Sequence, residues 1–374
     1  MPLPLRARPV SPRSIATRSP RPALSFGAFG AFGAFAAFAA IAAFAVSASA
    51  LGCGATAVCR TGGINDASNR TMRRQVLAYG LGEFCKQMLL RSAPLRLSPD
   101  APIVGRFFPT RCDQRQLDNG DLQIDFDGWG YAFMSVAQKV TFTSGGVVEY
   151  NQDFRCSDDN AIYAYFPVKS VKSSNFQMHA IGQPLAQFAQ GLIQTYADKI
   201  GAQMLGGKLS EGFTVIRNSD DSTDFDLGIL PLGQRPAHPY RVSGEGKVTY
   251  ESLRVEVQKE QRDFIGPIRM DHAGALSITL TVEGVPAIDV FVIPKDEADP
   301  SLKWYFDYGA ATPLATPPRI QGVAQQGLEY RQTVPLPAGS YYVVIDNTSS
   351  AGQVAPQSAS PATVSYLIQI GDAP

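Results

Sequence analysis

The last third of the chain constrains its fold most. Seven short apolar runs, "FIGPIRM", "ALSITLTVE", "AIDVFVIPK", "LKWYFDYG", "YRQTVPL", "SYYVVIDNT" and "TVSYLIQIG", follow one another between Gly, Pro and Asn turns. A pleated strand sends successive side chains to opposite faces, so runs of this length and alternation read as strands. About seven of them in roughly 110 residues, without a convincing helical period, predict an all-β sandwich over residues 264–372. The charged "KEQRD" at 259–263 is the expected boundary before it.

Upstream, residues 69–258 mix two periods. Asn69 can cap a helix in which Val76, Leu77, Gly80, Phe84 and Met88 recur at helical intervals, ending before Pro94. Strand-like runs follow from 103 to 168, and Ser144-Gly145-Gly146 between "KVTFT" and "VVEY" reads as a hairpin turn. Residues 184–205 predict a second helix, with Leu185, Phe188, Leu192, Ile193, Tyr196, Ile200 and Met204 on one stripe. Its other face carries Gln187, Gln190, Gln194 and Asp198, not the basic cluster of a membrane-surface helix, so packing on the sheet is the expectation. Further strands at "EGFTVIR", "DFDLGILPL" and "KVTYESLRVEVQ" complete an α+β domain, an antiparallel sheet with two helices.

The N-terminal segment has a different character. Residues 1–52 hold five arginines, no lysine and no acid, and the thirty residues from Ala23 to Gly52 carry no charge. A positive start, an apolar run and small residues near its end are the layout of a secretory signal. The run is also long enough to cross a bilayer. Without residues 1–52 the remaining chain has 28 basic and 33 acidic residues, 28 − 33 = −5, and no electrostatic footprint for nucleic acid.

Ala50-Leu51-Gly52-Cys53 resembles the relaxed form of the lipobox of bacterial lipoproteins. The resemblance covers the signal and implies that Cys53 is thioether-linked to diacylglycerol and becomes the new N-terminus. With Gly54 rather than Asp after it, the family pattern implies delivery to the outer membrane, with residues 53–68 as a lipidated tether. Two other readings stay open: cleavage after "ASA", leaving Cys53 an ordinary thiol, and an uncleaved inner-membrane anchor. At the other end, "VPLPAGSYYVVIDNTSSAG" with "VSYLIQIGD" resembles jelly-roll or pre-peptidase-C-terminal-type sandwich modules. As a family those bind or space and are seldom catalytic.

With Cys53 lipidated, Cys59, Cys85, Cys112 and Cys156 form an even set, as a two-disulfide framework in an oxidising compartment requires. Of the three possible connectivities, 59 with 85 and 112 with 156 keeps partners nearest in sequence, although spacing alone does not choose. No Cys-x-x-Cys occurs, and His179, His238 and His272 are scattered, so no metal or cofactor is implied.

Catalytic signatures are missing too: there is no G-x-S-x-G, H-E-x-x-H or phosphate-binding glycine loop. The acidic stretches "DNGDLQIDFDGWG" (118–130) and "NSDDSTDFDLG" (218–228) offer oxygen ligands for calcium, but neither fits the twelve-residue calcium loop and solvated turns, rich in the same residues, are the expectation. Trp129, Tyr131, Trp304, Tyr305 and Tyr308 are candidates either for stacking on sugars or for core packing. The reading that joins these observations is a lipid-anchored cell-envelope protein with a non-catalytic binding or structural role, its ligand a glycan or another envelope protein. The rival is an envelope hydrolase acting on glycan or peptide, using His179 or a carboxylate pair.

Overall fold

The computed structural model describes residues 54–66, 68, 77, 84–98, 100–134, 138–180, 210–220, 223–236, 248–309, 311–356 and 360–371. The chain divides into compact units 1–52 and 53–374, and the described residues all belong to the second. The signal segment, Cys53, His238, the helix expected over 184–205 and most of the helix expected from Asn69 lie outside the described residues. Of that last helix, residue 77 and residues 84–89 are helical.

A short helix, α1 (Ala55–Cys59), precedes β1 (Ala93–Arg96), β2 (Ile103–Gln116), β3 (Leu122–Met134), β4 (Gln138–Tyr150), β5 (Asp153–Cys156) and β6 (Ile162–Phe166). Then come β7 (Val168–Ala180), β8 (Phe213–Arg217), β9 (Thr223–Leu227), β10 (Val248–Val257), β11 (Gln261–Met270), β12 (Gly274–Glu283) and β13 (Ala287–Pro294). A longer helix, α2 (Lys295–Tyr308), leads to β14 (Ile320–Gln325), β15 (Tyr330–Leu336), β16 (Gly339–Asn347) and β17 (Ala362–Gly371). The described protein is mostly β, in sandwich-like layers.

Nine strands form one sheet in the order β15-β12-β17-β10-β2-β3-β4-β7, with β1 beside β2. Its pairs are antiparallel except β10 with β2, which meet through Val255 and Ile103. Two four-stranded sheets, β11-β16-β13-β14 and β5-β6-β8-β9, lie apart from it. The nine-stranded sheet corrects the expected division at 259–263: strands from both sides of that point share it. Lys259 and Glu260 of "KEQRD" lie in the tight β10–β11 connection and the rest begins β11; Glu260 takes a positive φ of 60° and its N–H bonds Asn347 O at 2.8 Å.

Alternation along the strands builds the layers. In β13, Ile288, Val290 and Val292 join one core with Val255, Leu276, Ile278 and Ile368 of the large sheet. Phe291 and Ile293, alternating with Val290 and Val292, turn to the opposite face and pack with Leu302 and Tyr305 of α2 and with Phe108 and Tyr131 of β2 and β3. A strand buried on both faces needs apolar residues throughout, which explains the near-continuous "VFVI" and "YYVVI". A third core, including Phe107, Phe126 and Phe142, lies on the other face of β2–β4 with Phe154, Phe166, Phe213 and Phe225 of the small sheet. Each such side chain removed from water contributes about 1.5–3 kcal/mol.

Three local expectations are corrected. Ser144-Gly145-Gly146 is no turn: β4 runs straight through it, with Gly145 opposite Asp127 and Gly146 opposite Phe126. A Cβ on Gly145 would lie 2.0 Å from Asp127 Oδ1 and 2.6 Å from Phe126 O, so glycine is needed there for close approach and not for bending.

"LKWYFDYG" is not a strand but the second half of α2. Asp296 and Glu297 sit in the first turn, where the helix dipole favours acids, and Gly309 ends the helix at φ 70°. Lys295–Asp299 and Lys303–Asp307 pair one turn apart, while Ala298, Leu302 and Tyr305 form the buried stripe. Aromatic composition and the internal Pro300 conceal this period in the sequence.

Residues 54–66 are not a loose tether. Ala55 is fully buried, Ile64 is buried, and both belong to the core beneath β2–β4.

Candidate functional site

The densest concentration of chemistry is a buried ionic network where β2, β10, β11 and β17 meet. Arg106, fully buried, donates from Nε to both Asp263 oxygens at 2.9 and 3.0 Å, and from Nη2 to Asp263 Oδ2 at 2.9 Å. Nη2 also reaches Glu251 at 3.2 Å and Tyr366 Oη at 3.0 Å, and Tyr366 donates to Glu251. Tyr131 donates to Asp263 at 2.8 Å and accepts from Phe264 N at 2.8 Å. Burial works against the Arg106 cation, but Asp263 and Glu251 outweigh it and hold the guanidinium protonated. The same burial pushes the Tyr131 and Tyr366 phenols well above their usual range.

Alternation along β11 sends Arg262 the other way, toward α2. It donates to Thr312 O at 2.9 Å, Asp346 at 3.1 Å, Thr348 at 3.2 Å and Ser350 at 2.9 Å, clamping the 348–350 segment. Its Nε lies 3.1 Å from Asp346 Oδ1, close enough to attract but off the hydrogen-bond line, so neither atom completes a bond. Burial lifts the Asp346 carboxyl to about 6 in spite of Arg262. Nearby, Lys139 of β4 donates to Tyr305 O, and its Nζ sits 3.0 Å from the centre of the Tyr305 ring. Burial, then the Arg262 charge, lowers this lysine to about 6.

These groups do not form an open reaction site. Arg106, Arg262 and Asp263 have no solvent exposure, and Lys139 and Asp346 have 1%. Their partners are one another, Glu251, neighbouring Tyr, Thr and Ser hydroxyls and the backbone, so they fasten the layers together. Sequence reasoning missed the network because Arg106 lies 145 and 157 positions from Glu251 and Asp263 in the chain.

The disulfides are Cys59–Cys156 and Cys85–Cys112, with Cα separations of 5.5 and 5.2 Å. This corrects the nearest-neighbour pairing of 59 with 85 and 112 with 156. Core packing decides: α1 enters beside the end of β5, while the helical turn at 84–89 lies over β2. The four-cysteine set itself is as expected, and neither bridge involves Cys53.

The two acidic stretches are engaged by cations of the protein. Asp125 and Asp127 bind Arg111 at 2.8 and 2.7 Å, Asp121 binds Lys169, and Asp118–Asp121 form the β2–β3 turn. In the second stretch, Asp224 accepts from Asn218 at 3.0 Å and lies 3.6 Å from Arg235. Among the described residues no cluster of three metal-ligating side chains occurs. His179 is exposed on β7, and Asp271, next to His272, pairs instead with Arg269 at 2.7 Å.

The candidate aromatics divide into packed and exposed rings. Tyr131 and Tyr305 are fully buried, and Trp129 stacks on Phe108 at 4.6 Å and meets Phe306 at a tilt, 4.7 Å away. Trp304 and Tyr308 instead face solvent, 45% and 58% exposed, one turn apart on α2 with ring centres 4.1 Å apart.

No family model and no curated protein sequence matches the chain. Among solved structures it is similar to a Bacillus endospore appendage from a family of disulfide-linked pili, at 8% identity over 39% of this chain and 100% of that one, TM-score 0.22. It is also similar to a Bacillus subtilis glycoside hydrolase family 43 arabinoxylan arabinofuranohydrolase, at 6% identity over 71% and 67%, TM-score 0.22. A third similarity is to the VP2 subviral particle of infectious bursal disease virus, at 11% identity over 75% and 67%, TM-score 0.18. Likeness at this level carries no functional inference.

Proposed function

We propose that the chain is an exported bacterial envelope protein, lipid-anchored at Cys53, with a binding or structural role and no catalysis. The observation that carries this reading is the pairing of Cys59 with Cys156 and of Cys85 with Cys112. It leaves Cys53, the residue at the lipobox position, as the one cysteine outside the disulfide framework. Two disulfides suit an oxidising compartment beyond the cytoplasm. In the same reading, residues 69–89 and 184–205 are amphipathic helices that give the N-terminal half an α+β character, and the anchor lies in the outer membrane.

A non-catalytic role is favoured because the convergent charged groups are buried and already paired, whereas His179 stands apart from them. The partner is a glycan or another envelope protein, and the exposed Trp304–Tyr308 pair favours the glycan. Flat aromatic rings offer apolar area for stacking at little conformational cost.

Intact mass of protein extracted from membranes tests the anchor. Wild type is expected to begin at Cys53 and carry acyl mass, while Cys53→Ala carries none. A mature wild-type N-terminus elsewhere, or one without acyl mass, overturns the reading.

A further inference from the structure

Resting on the proposed lipidation of Cys53, we infer that the end of the small sheet carrying the β5–β6 and β8–β9 turns faces the bilayer directly, with no spacer between lipid and fold. Lipidation supplies the anchor; the beginning of the fold supplies the orientation. An unstructured tether over 53–68 would let the body stand up to about 50 Å from the membrane, at roughly 3.3–3.6 Å per residue. Instead Gly54, the residue after Cys53, already caps α1. Gly54 accepts the N–H groups of Ala57 and Val58 at 3.0 and 3.3 Å, and Ala55 is fully buried.

Three contacts fix this start to the small sheet. Cys59 is disulfide-bonded to Cys156 at the end of β5. Asn65 accepts from Cys156 N at 3.2 Å, and Thr56 reaches Ser219 O in the β8–β9 turn at 3.5 Å. Because Ile162 pairs with Arg217, the β5–β6 and β8–β9 turns project from the same end. Covalent connection therefore holds Asp158, Asp159, Ser219 and Asp220, all exposed, near the lipid headgroups.

Charge at this end is mixed: Arg60, Arg155 and Arg235 stand among Asp158, Asp159 and Asp220, and Arg235 pairs with Asp159 at 2.9 Å. Such a surface lacks the basic cluster that draws proteins to anionic lipid. The orientation is thus imposed by the short connection and not by headgroup attraction.

The test places single tryptophan reporters, Asp158→Trp or Leu328→Trp, in full-length protein in which Trp129 and Trp304 are Phe. Leu328, 61% exposed, lies between β14 and β15, and β15 is the edge of the large sheet away from the β2–β4 strands on which the small sheet packs. Purified lipidated protein, its acyl mass confirmed, is incorporated into phosphatidylcholine vesicles bearing a headgroup nitroxide. The expected result is stronger quenching at 158 than at 328. A twelve-residue Gly/Ser spacer inserted between Cys53 and Gly54 is expected to abolish that difference. Equal quenching of the two reporters in protein that carries the lipid overturns the orientation and leaves the lipid anchor standing. A difference that survives the spacer overturns the role of the short connection. Absence of acyl mass removes the anchor and the orientation together. Retained disulfide mass together with a wild-type melting temperature in each variant establishes that the fold under test is intact.

Discussion

Arg106 and Asp263, 157 positions apart in the chain, form a two-pronged ion pair with no solvent exposure, three N–H···O contacts of 2.9–3.0 Å. One lies in β2 of the large sheet and the other in β11 of the facing sheet, so the pair ties those two sheets together. Removing one member leaves a buried charge with a diminished partner set. Asp263→Ala is expected to destabilise the fold by about 3–5 kcal/mol, whereas joint replacement by apolar residues of similar volume costs far less. Urea denaturation of the single and double variants measures the difference.

Lys139 gives a pH signature. Its folded value, about 6, lies below that of a free lysine, so between about pH 6 and pH 10 the unfolded chain binds more protons than the folded one. Stability from this group therefore rises as pH rises through that window, and the cost of the buried lysine is fully present below it. Lys139→Met is expected to stabilise the protein at pH 7 by about 1–4 kcal/mol and to flatten its stability between pH 6 and 9. Tyr305 O keeps its bond from Gly309 N at 3.2 Å, so the substitution does not orphan that carbonyl. Denaturant midpoints across the range decide.

The disulfides differ in loop length. Cys59–Cys156 spans 97 residues and Cys85–Cys112 spans 27. Chain entropy alone assigns them about 4.7 and about 3.5 kcal/mol. Replacing both cysteines of the longer bridge by Ser is expected to lower the denaturant midpoint more than the same change in the shorter one. Non-reducing peptide mapping should recover the 59–156 and 85–112 linkages.

Gly145→Val places a good strand former in a strand and is nonetheless expected to destabilise by about 1–3 kcal/mol. The added atoms meet Asp127 and the β3 backbone. Thermal unfolding reports the loss, and a variant as stable as wild type would show that β3 and β4 do not approach as described.

Neighbouring aromatics on α2 should behave oppositely. Trp304→Ala and Tyr308→Ala are expected to change stability by no more than about 0.5 kcal/mol, as surface substitutions do. Tyr305→Ala, which empties a fully buried site, is expected to cost about 3–5 kcal/mol. If the exposed pair holds a glycan, its two alanine variants lose retention on envelope polysaccharide while keeping the wild-type melting temperature.

Most individual strands were legible from residues alone. Alternation marks β12, β15 and β17 in the sequence, and near-continuous apolar runs mark β11, β13 and β16, because a strand must remove one face or both from water. The helix over Lys295–Tyr308 was not, since Trp304, Tyr305 and Phe306 imitate a strand until Leu302 and Tyr305 are seen sharing a buried face. Nor was the passage of β4 through Gly145-Gly146, because glycine serves both tight turns and close strand approach, and only the neighbouring strand distinguishes them.

By itself, then, the sequence determined a largely β protein with an even set of four cysteines and a distinct N-terminal segment. Periodicity, count and charge are properties of consecutive residues. The tertiary structure alone decided that strands from both halves share one sheet, that Cys59 meets Cys156, and that Arg106 finds Asp263. Those are relationships between residues far apart in the chain, set by which apolar faces bury one another, and the ion pairs and disulfides form where that packing brings their partners together.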